Sequence, residues 1–127
     1  MKEFMLLIRN ESDHQDGWSA EKHQQFLKAC EYYIDELKKQ GKLKSAQPLG
    51  REGKMISGAK GEWKENSYTR TKEIIVGYYH IFANDIDEAV SIAKQNPEFE
   101  FGTKARVEVR PVKVKEQITG FVYPDQK

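Results

Sequence analysis

The stretch "IIVGYYHIFAND", residues 74–85, decides how the fold is read. From Ile74 to Ala83 it is apolar, aromatic and rich in β-branched residues, the composition of a core strand, with His80 as its one ionisable interruption. Asp85 can then cap a helix over "IDEAVSIAKQN", with Glu88 reaching back and Ile86, Ala89, Val90 and Ala93 forming the apolar face; Asn96-Pro97 ends it. Beyond it, "ARVEVRPV" alternates, setting Ala105, Val107 and Val109 on one side and Arg106, Glu108 and Arg110 on the other. Pro111, which offers no ladder donor, ends that strand or sits at an edge.

Working upstream, "EFMLLIR", residues 3–9, is an apolar run of strand length, suited to burial on both faces. The polar loop "NESDHQDG" leads into "WSAEKHQQFLKACEYYIDELKKQG", where Phe26, Cys30, Tyr33, Ile34 and Leu37 recur at helical spacing. Ser19 is placed as the N-cap and Gly41 as a left-handed stop. "KLKSAQPLG" reads as a second strand closed by Pro48. Four glycines then punctuate residues 50–73, consistent with a hairpin around "KMIS" followed by an irregular, exposed segment.

A chain of 127 residues with 38% hydrophobic content is the size of one domain able to bury a core without disulfides. Lys plus Arg number 21 against 20 Asp plus Glu, so no overall field draws the chain to a phosphate backbone or an anionic membrane, and neither is expected as a partner. The apolar run near the start is too short for a signal peptide or a membrane span. With a single cysteine, Cys30, the expected compartment is the cytoplasm.

Strand, helix, strand, hairpin, strand, helix, strand is the order of a ferredoxin-like α+β domain, with an antiparallel sheet and both helices on one face. Gly77, Tyr79, Ile81 and Ala83 suit the helix-packed side, which leaves Tyr78, His80 and Phe82 on the other. Leaving such side chains in water forgoes ~1.5–3 kcal/mol each. A homodimer through the sheet face is therefore expected, with His80 looking into the space between sheet and partner.

Several pieces in order also carry a family likeness. "MKEFMLLIRN" at the start, "WSAE" opening the first helix, "ELKKQGKL" closing it, "TKE" before "GYYHIFANDIDEAVSIAKQNP", and "VEVRPV" near the end together resemble the YCII-related proteins, in particular the DGPF branch. The resemblance implies an α+β domain over residues 1–112 of the dimeric α/β-barrel type, cofactor-free. Residues 113–127 lie outside the likeness, and their sequence is compatible with an added strand or a clasp on a partner. It stops short of the branch's signature: Glu65, Asn66, Ser67 and Tyr68 stand where Asp-Gly-Pro-Phe is read. The His-Asp pair of the other branch falls on Cys30 and Lys39, so that mechanism does not transfer.

For chemistry, His80 is the candidate general acid or base, and the reading placed ahead of it is a hydrogen-bonded histidine that fills an interface. Glu108 and Arg110 share its side of the sheet, so a pocket there would offer Glu108 to deprotonate and Arg110 to hold a small anionic or aromatic ligand; an intersubunit salt bridge is the alternative. Tyr78 lines the same cleft, Arg9 and Glu73 can rim it, and Tyr68 with Trp63 can cover it. Cys30 reads as an inert core thiol. His14 in "DHQD" and His23 lack the three or four fixed ligands that a metal needs, so no metal is expected. Two functions follow: a small-molecule binder or cofactor-independent proton-transfer enzyme with its cleft at the dimer interface, or a non-catalytic dimeric interaction or regulatory module.

Overall fold

The computed structural model describes residues 1–67 and 73–124. Strands β1 (Lys2–Glu11), β2 (Leu43–Pro48), β5 (Glu73–Ala83) and β6 (Arg106–Pro111) form a four-stranded sheet in the order β2-β5-β1-β6, and β3 (Lys54–Ala59) pairs with β4 (Glu62–Ser67) in a separate hairpin. Every pairing is antiparallel. The helices are α1 (Ala20–Lys39), α2 (Ile86–Lys94) and, directly after α2, the one-turn helix α3 (Glu98–Phe101). This is the α+β architecture expected, consistent with a ferredoxin-like fold.

The core forms where the inward faces of β1 and β5 meet the helices. Phe4, Leu6 and Ile8 alternate along β1, Tyr79, Ile81 and Ala83 along β5, and Tyr33, Leu37, Ala89, Ile92 and Ala93 close over them. Strand β1 is thus buried on one face, while Met5 and Leu7 on the other are only half-buried. Tyr33 and Tyr79 meet edge to face at 5.3 Å, and the Tyr33 hydroxyl donates to the Ile92 carbonyl at 2.7 Å.

The helix ends follow local chemistry. Ser19 Oγ accepts from Lys22 N–H at 3.0 Å, and Gly41 takes a φ of +68° just past the α1 C-terminus, a conformation other residues resist. Asp85 Oδ1 accepts from Glu88 N–H at 2.8 Å, while the Glu88 carboxylate accepts from Asn84, one residue beyond the expected reach, at 3.1 Å from its amide. The buried face of α2 is Ala89, Ile92 and Ala93; Ile86 is exposed, so the apolar stripe is rotated from the one its spacing suggested.

One other expectation changes. The hairpin that starts in "KMIS" runs on through the segment expected to be irregular, turning at Lys60-Gly61 and pairing as far as Lys54 with Ser67. Gly58 permits this, since a Cβ there would lie 2.1 Å from the Glu62 carbonyl oxygen. The C-terminal extension forms a small loop closed by an antiparallel bridge between Lys115 and Val122.

Candidate functional site

On the open face of the sheet, β5 places Tyr78 and His80, and the register sets His80 across from Met5 and Ser45. Glu108 lies opposite Leu7, and Arg110 opposite Met5. The residues proposed from sequence therefore share a face, but His80 is bonded to neither Glu108 nor Glu73. Its Nε2 lies 2.7 Å from Glu3 Oε1, which also pairs with Lys44 Nζ at 3.2 Å. His80 and Arg110 are two strands apart, about 10 Å by sheet geometry, with Met5 between them.

The arginines and acids on this face bind each other. Arg9 Nε donates to Glu108 Oε1 at 3.3 Å, and Arg110 Nη1 lies 3.6 Å from Glu108 Oε2. Arg106 donates twice to Glu73 Oε1, at 2.8 and 3.2 Å. The result is a half-buried strip of Met5, Leu7, Tyr78 and Phe82 flanked by ion pairs. Trp63 is 61% exposed on β4, and Tyr68 lies outside the described residues.

A cavity of about 710 Å³ opens on the opposite side, in the groove between α1 and the β2–β5 edge. Its walls are largely apolar, drawn from Ile8, Phe26, Leu27, Ile34, Ala46 and Val76, with charged side chains among the rest of the lining. Gly77 forms part of its base, where the missing side chain leaves room and lets β5 approach the Gln47 carbonyl closely. The inner end is polar: His14, Cys30, Tyr79, Asn96 and Glu98 all line it.

This polar end is built from three parts of the chain. The inward positions of β1 run Phe4, Leu6, Ile8 and then Asn10, which is 2% exposed and so requires a buried partner. Asn10 Nδ2 donates to Glu98 Oε2 at 2.7 Å, and Glu98 N–H donates to Asn96 Oδ1 at 2.9 Å. His14 Nε2 faces Glu98 Oε1 at 3.5 Å, and His14 Nδ1 lies 3.0 Å from the Glu11 carbonyl. Trp18, Phe26 and Phe101 pack on one another at 5.4–6.1 Å and tie the His14 loop to α1 and α3.

The electrostatics set the proton inventory. The Glu11 carbonyl can only accept, so Nδ1 carries the hydrogen there, and a protonated Nε2 meets the Glu98 carboxylate. Burial by itself lowers the His14 pKa, but the Glu98 contact and charge, aided by the Glu11 carbonyl, outweigh it and leave the value raised. Burial lifts Cys30 to about 11 with help from Glu98, and it pushes both Tyr33 and Tyr79 upward, so these groups stay protonated at neutral pH. Cys30 is half-buried at the groove instead of sealed in the core. Among the described residues no group of three or more His, Cys, Asp or Glu is arranged to hold a metal ion, and no helix is long and apolar enough to cross a membrane.

Sequence reasoning saw His14 only as an isolated imidazole between Asp13 and Asp16. Its partner Glu98 was invisible because it arrives from the turn after Asn96-Pro97. The one available signal was Asn10, a polar residue continuing the inward alternation of β1.

No curated protein matches the chain. The model of the YCII-related domain matches residues 2–113, which hold all the named strands and helices. On that match the chain belongs to the YCII-related family.

Proposed function

We propose that this YCII-related protein binds a small molecule in the groove between α1 and the β2–β5 edge and exchanges a proton with it through His14 and Glu98, without a cofactor. The carrying observation is the placement of that pair: an imidazole held by a backbone carbonyl on one nitrogen and facing a carboxylate with the other, at the polar end of an apolar-walled cavity. A second, more polar cavity of about 400 Å³ shares only His14 and Glu98 with the first, so the pair forms the wall between them and can exchange protons with solvent on its far side. The likeness to the DGPF branch in "WSAE" and "GYYHIFANDIDEAVSIAKQNP" supports placing the chain there within the family.

The open sheet face fits a different role, that of a homodimer interface. Met5, Leu7, Tyr78 and Phe82 form a strip that a second copy would cover, and alternating arginines and acids along β1, β5 and β6 suit a face meeting itself. In this account His80, bonded to Glu3, is an interface residue. The non-catalytic alternative keeps this dimer and leaves the groove without chemistry.

A fragment titration followed by methyl NMR separates these readings. Perturbations are expected at Leu27 and Ile34 in the groove, and His14→Gln should abolish α-proton exchange of bound enolisable fragments while sparing binding. Perturbations confined to Met5 and Leu7 would sink the groove assignment.

A further inference from the structure

The groove's ligand can be narrowed from the groups that meet it; this step rests on the reading that the groove is the binding site. Tyr79 is 9% exposed and lines the cavity, and its hydroxyl, though it meets the Asn96 side chain, donates to no described residue. That is unlike Tyr33, whose hydroxyl is spent on the Ile92 carbonyl. A hydroxyl proton held at an apolar cavity without an acceptor carries a desolvation cost that a ligand acceptor can relieve. Behind it stands Asn96. Because Asn96 Oδ1 accepts from Glu98 N–H, the buried Nδ2 end is turned toward the tyrosine hydroxyls, near enough to act on them but short of full hydrogen-bond geometry. An amide donor behind the Tyr79 oxygen leaves the Tyr79 proton as the one available to a ligand.

The charge around the cavity selects further. Glu31, Asp35 and Glu52 line it, with Glu98 paired to His14, against Lys38 and Arg51, and Arg51 is already committed to Asp16 at 2.9 Å and to the Ser12 carbonyl at 3.1 Å. An anion entering this groove meets net repulsion, and a strongly polar molecule gains little from the apolar walls.

We propose that the groove takes a neutral, largely apolar carbonyl compound, such as a cyclic ketone or lactone, whose oxygen accepts a hydrogen bond from the Tyr79 hydroxyl, with Asn96 as the positioning residue. The apolar body lies along Phe26, Leu27 and Ile34. The carbonyl is thereby held in the same cavity as Glu98 and His14.

The test is a matched set of probes titrated into the full chain and followed by methyl NMR at Leu27 and Ile34: 1-tetralone, the hydrocarbon tetralin, and the anion 5,6,7,8-tetrahydro-1-naphthoate. The ketone should bind about fivefold more tightly than the hydrocarbon, the range of one neutral hydrogen bond, and more tightly than the anion. Tyr79→Phe should erase the preference between ketone and hydrocarbon while both still bind. Tyr33→Phe, which removes a structural hydroxyl nearby, should retain the preference, so a general loosening of the fold would not imitate the result. Equal binding of ketone and hydrocarbon to the wild type, or tighter binding of the anion, would overturn the carbonyl assignment and leave the groove reading standing. Failure of all three probes to perturb the groove up to their solubility limits would overturn both.

Discussion

Replacing Glu98 by glutamine removes one negative charge and almost no volume from the polar end of the groove. In the wild type, Glu98 accepts from Asn10 at 2.7 Å and faces His14 Nε2 at 3.5 Å with 10% of its side chain exposed. A hydrogen bond to a charged group contributes about 1.5–3 kcal/mol and one between neutral groups about 0.5–1.5, so the variant should lose roughly 1–2 kcal/mol near neutral pH if glutamine keeps an oxygen on Asn10. Glu98→Ala strands the Asn10 amide and should lose about 1 kcal/mol more. The more specific consequence is in titration. His14 has a raised pKa because Glu98 outweighs burial, and with Glu98 neutral, burial is left as the largest influence and the value should fall below the wild-type one. The sign for stability follows from the raised folded value: the contribution of the pair is fully present below the unfolded histidine pKa, about 6.5, and is lost as pH rises through the higher folded value. Wild-type stability should therefore decline over that window, and Glu98→Gln should flatten the decline. Histidine ring NMR, with His14 assigned through His14→Gln, reads the first effect, and urea unfolding at pH 5.5 and 8 reads the second. A His14 pKa in the wild type below 6.5, or one that Glu98→Gln leaves in place, would refute the reasoning.

Three further outcomes follow. Cys30, with its pKa pushed to about 11 from 9, should react with iodoacetamide at pH 8 about 100-fold more slowly than a free cysteine thiol, and urea should abolish the protection. Leu6, at 0% exposure between sheet and helices, should cost about 2–5 kcal/mol when truncated to alanine, measured by urea denaturation. The sheet face should bring two copies together: the wild type is expected to sediment as a dimer at micromolar concentration and Leu7→Arg as a folded monomer, whereas a wild-type monomer at 50 μM, an order-of-magnitude choice for a stable interface, would dismiss the dimer.

The fold was legible because its signals are local. The β-branched run at residues 74–83, the Ser19 and Asp85 caps and the Gly41 stop each act within a few residues, and together they yield the element order and the sheet. Side-chain parity was legible too, placing Tyr79 and Ile81 inward and Tyr78 and His80 outward. The partner of His80 was not, since Glu3 reaches it diagonally across the β1–β5 register, while the arginines that looked available for a ligand, Arg9 and Arg110, are paired with Glu73 and Glu108. The groove's polar end was least legible. Asn10 and Glu98 are 88 residues apart and meet only because α3 turns back beneath the His14 loop. No periodicity announces a contact between the end of one strand and a one-turn helix. The length of the hairpin was missed for a related reason: its strands are exposed throughout, so the alternation that marks a buried strand is absent.

The most direct test of the central claim is a crystal structure of the protein soaked with small carbonyl fragments. The account predicts density in the groove between α1 and the β2–β5 edge, with an oxygen on the Tyr79 hydroxyl and carbon atoms beside Glu98. Fragments that settle only on the sheet face, against Tyr78 and His80, with the groove closed by its own side chains, would contradict it.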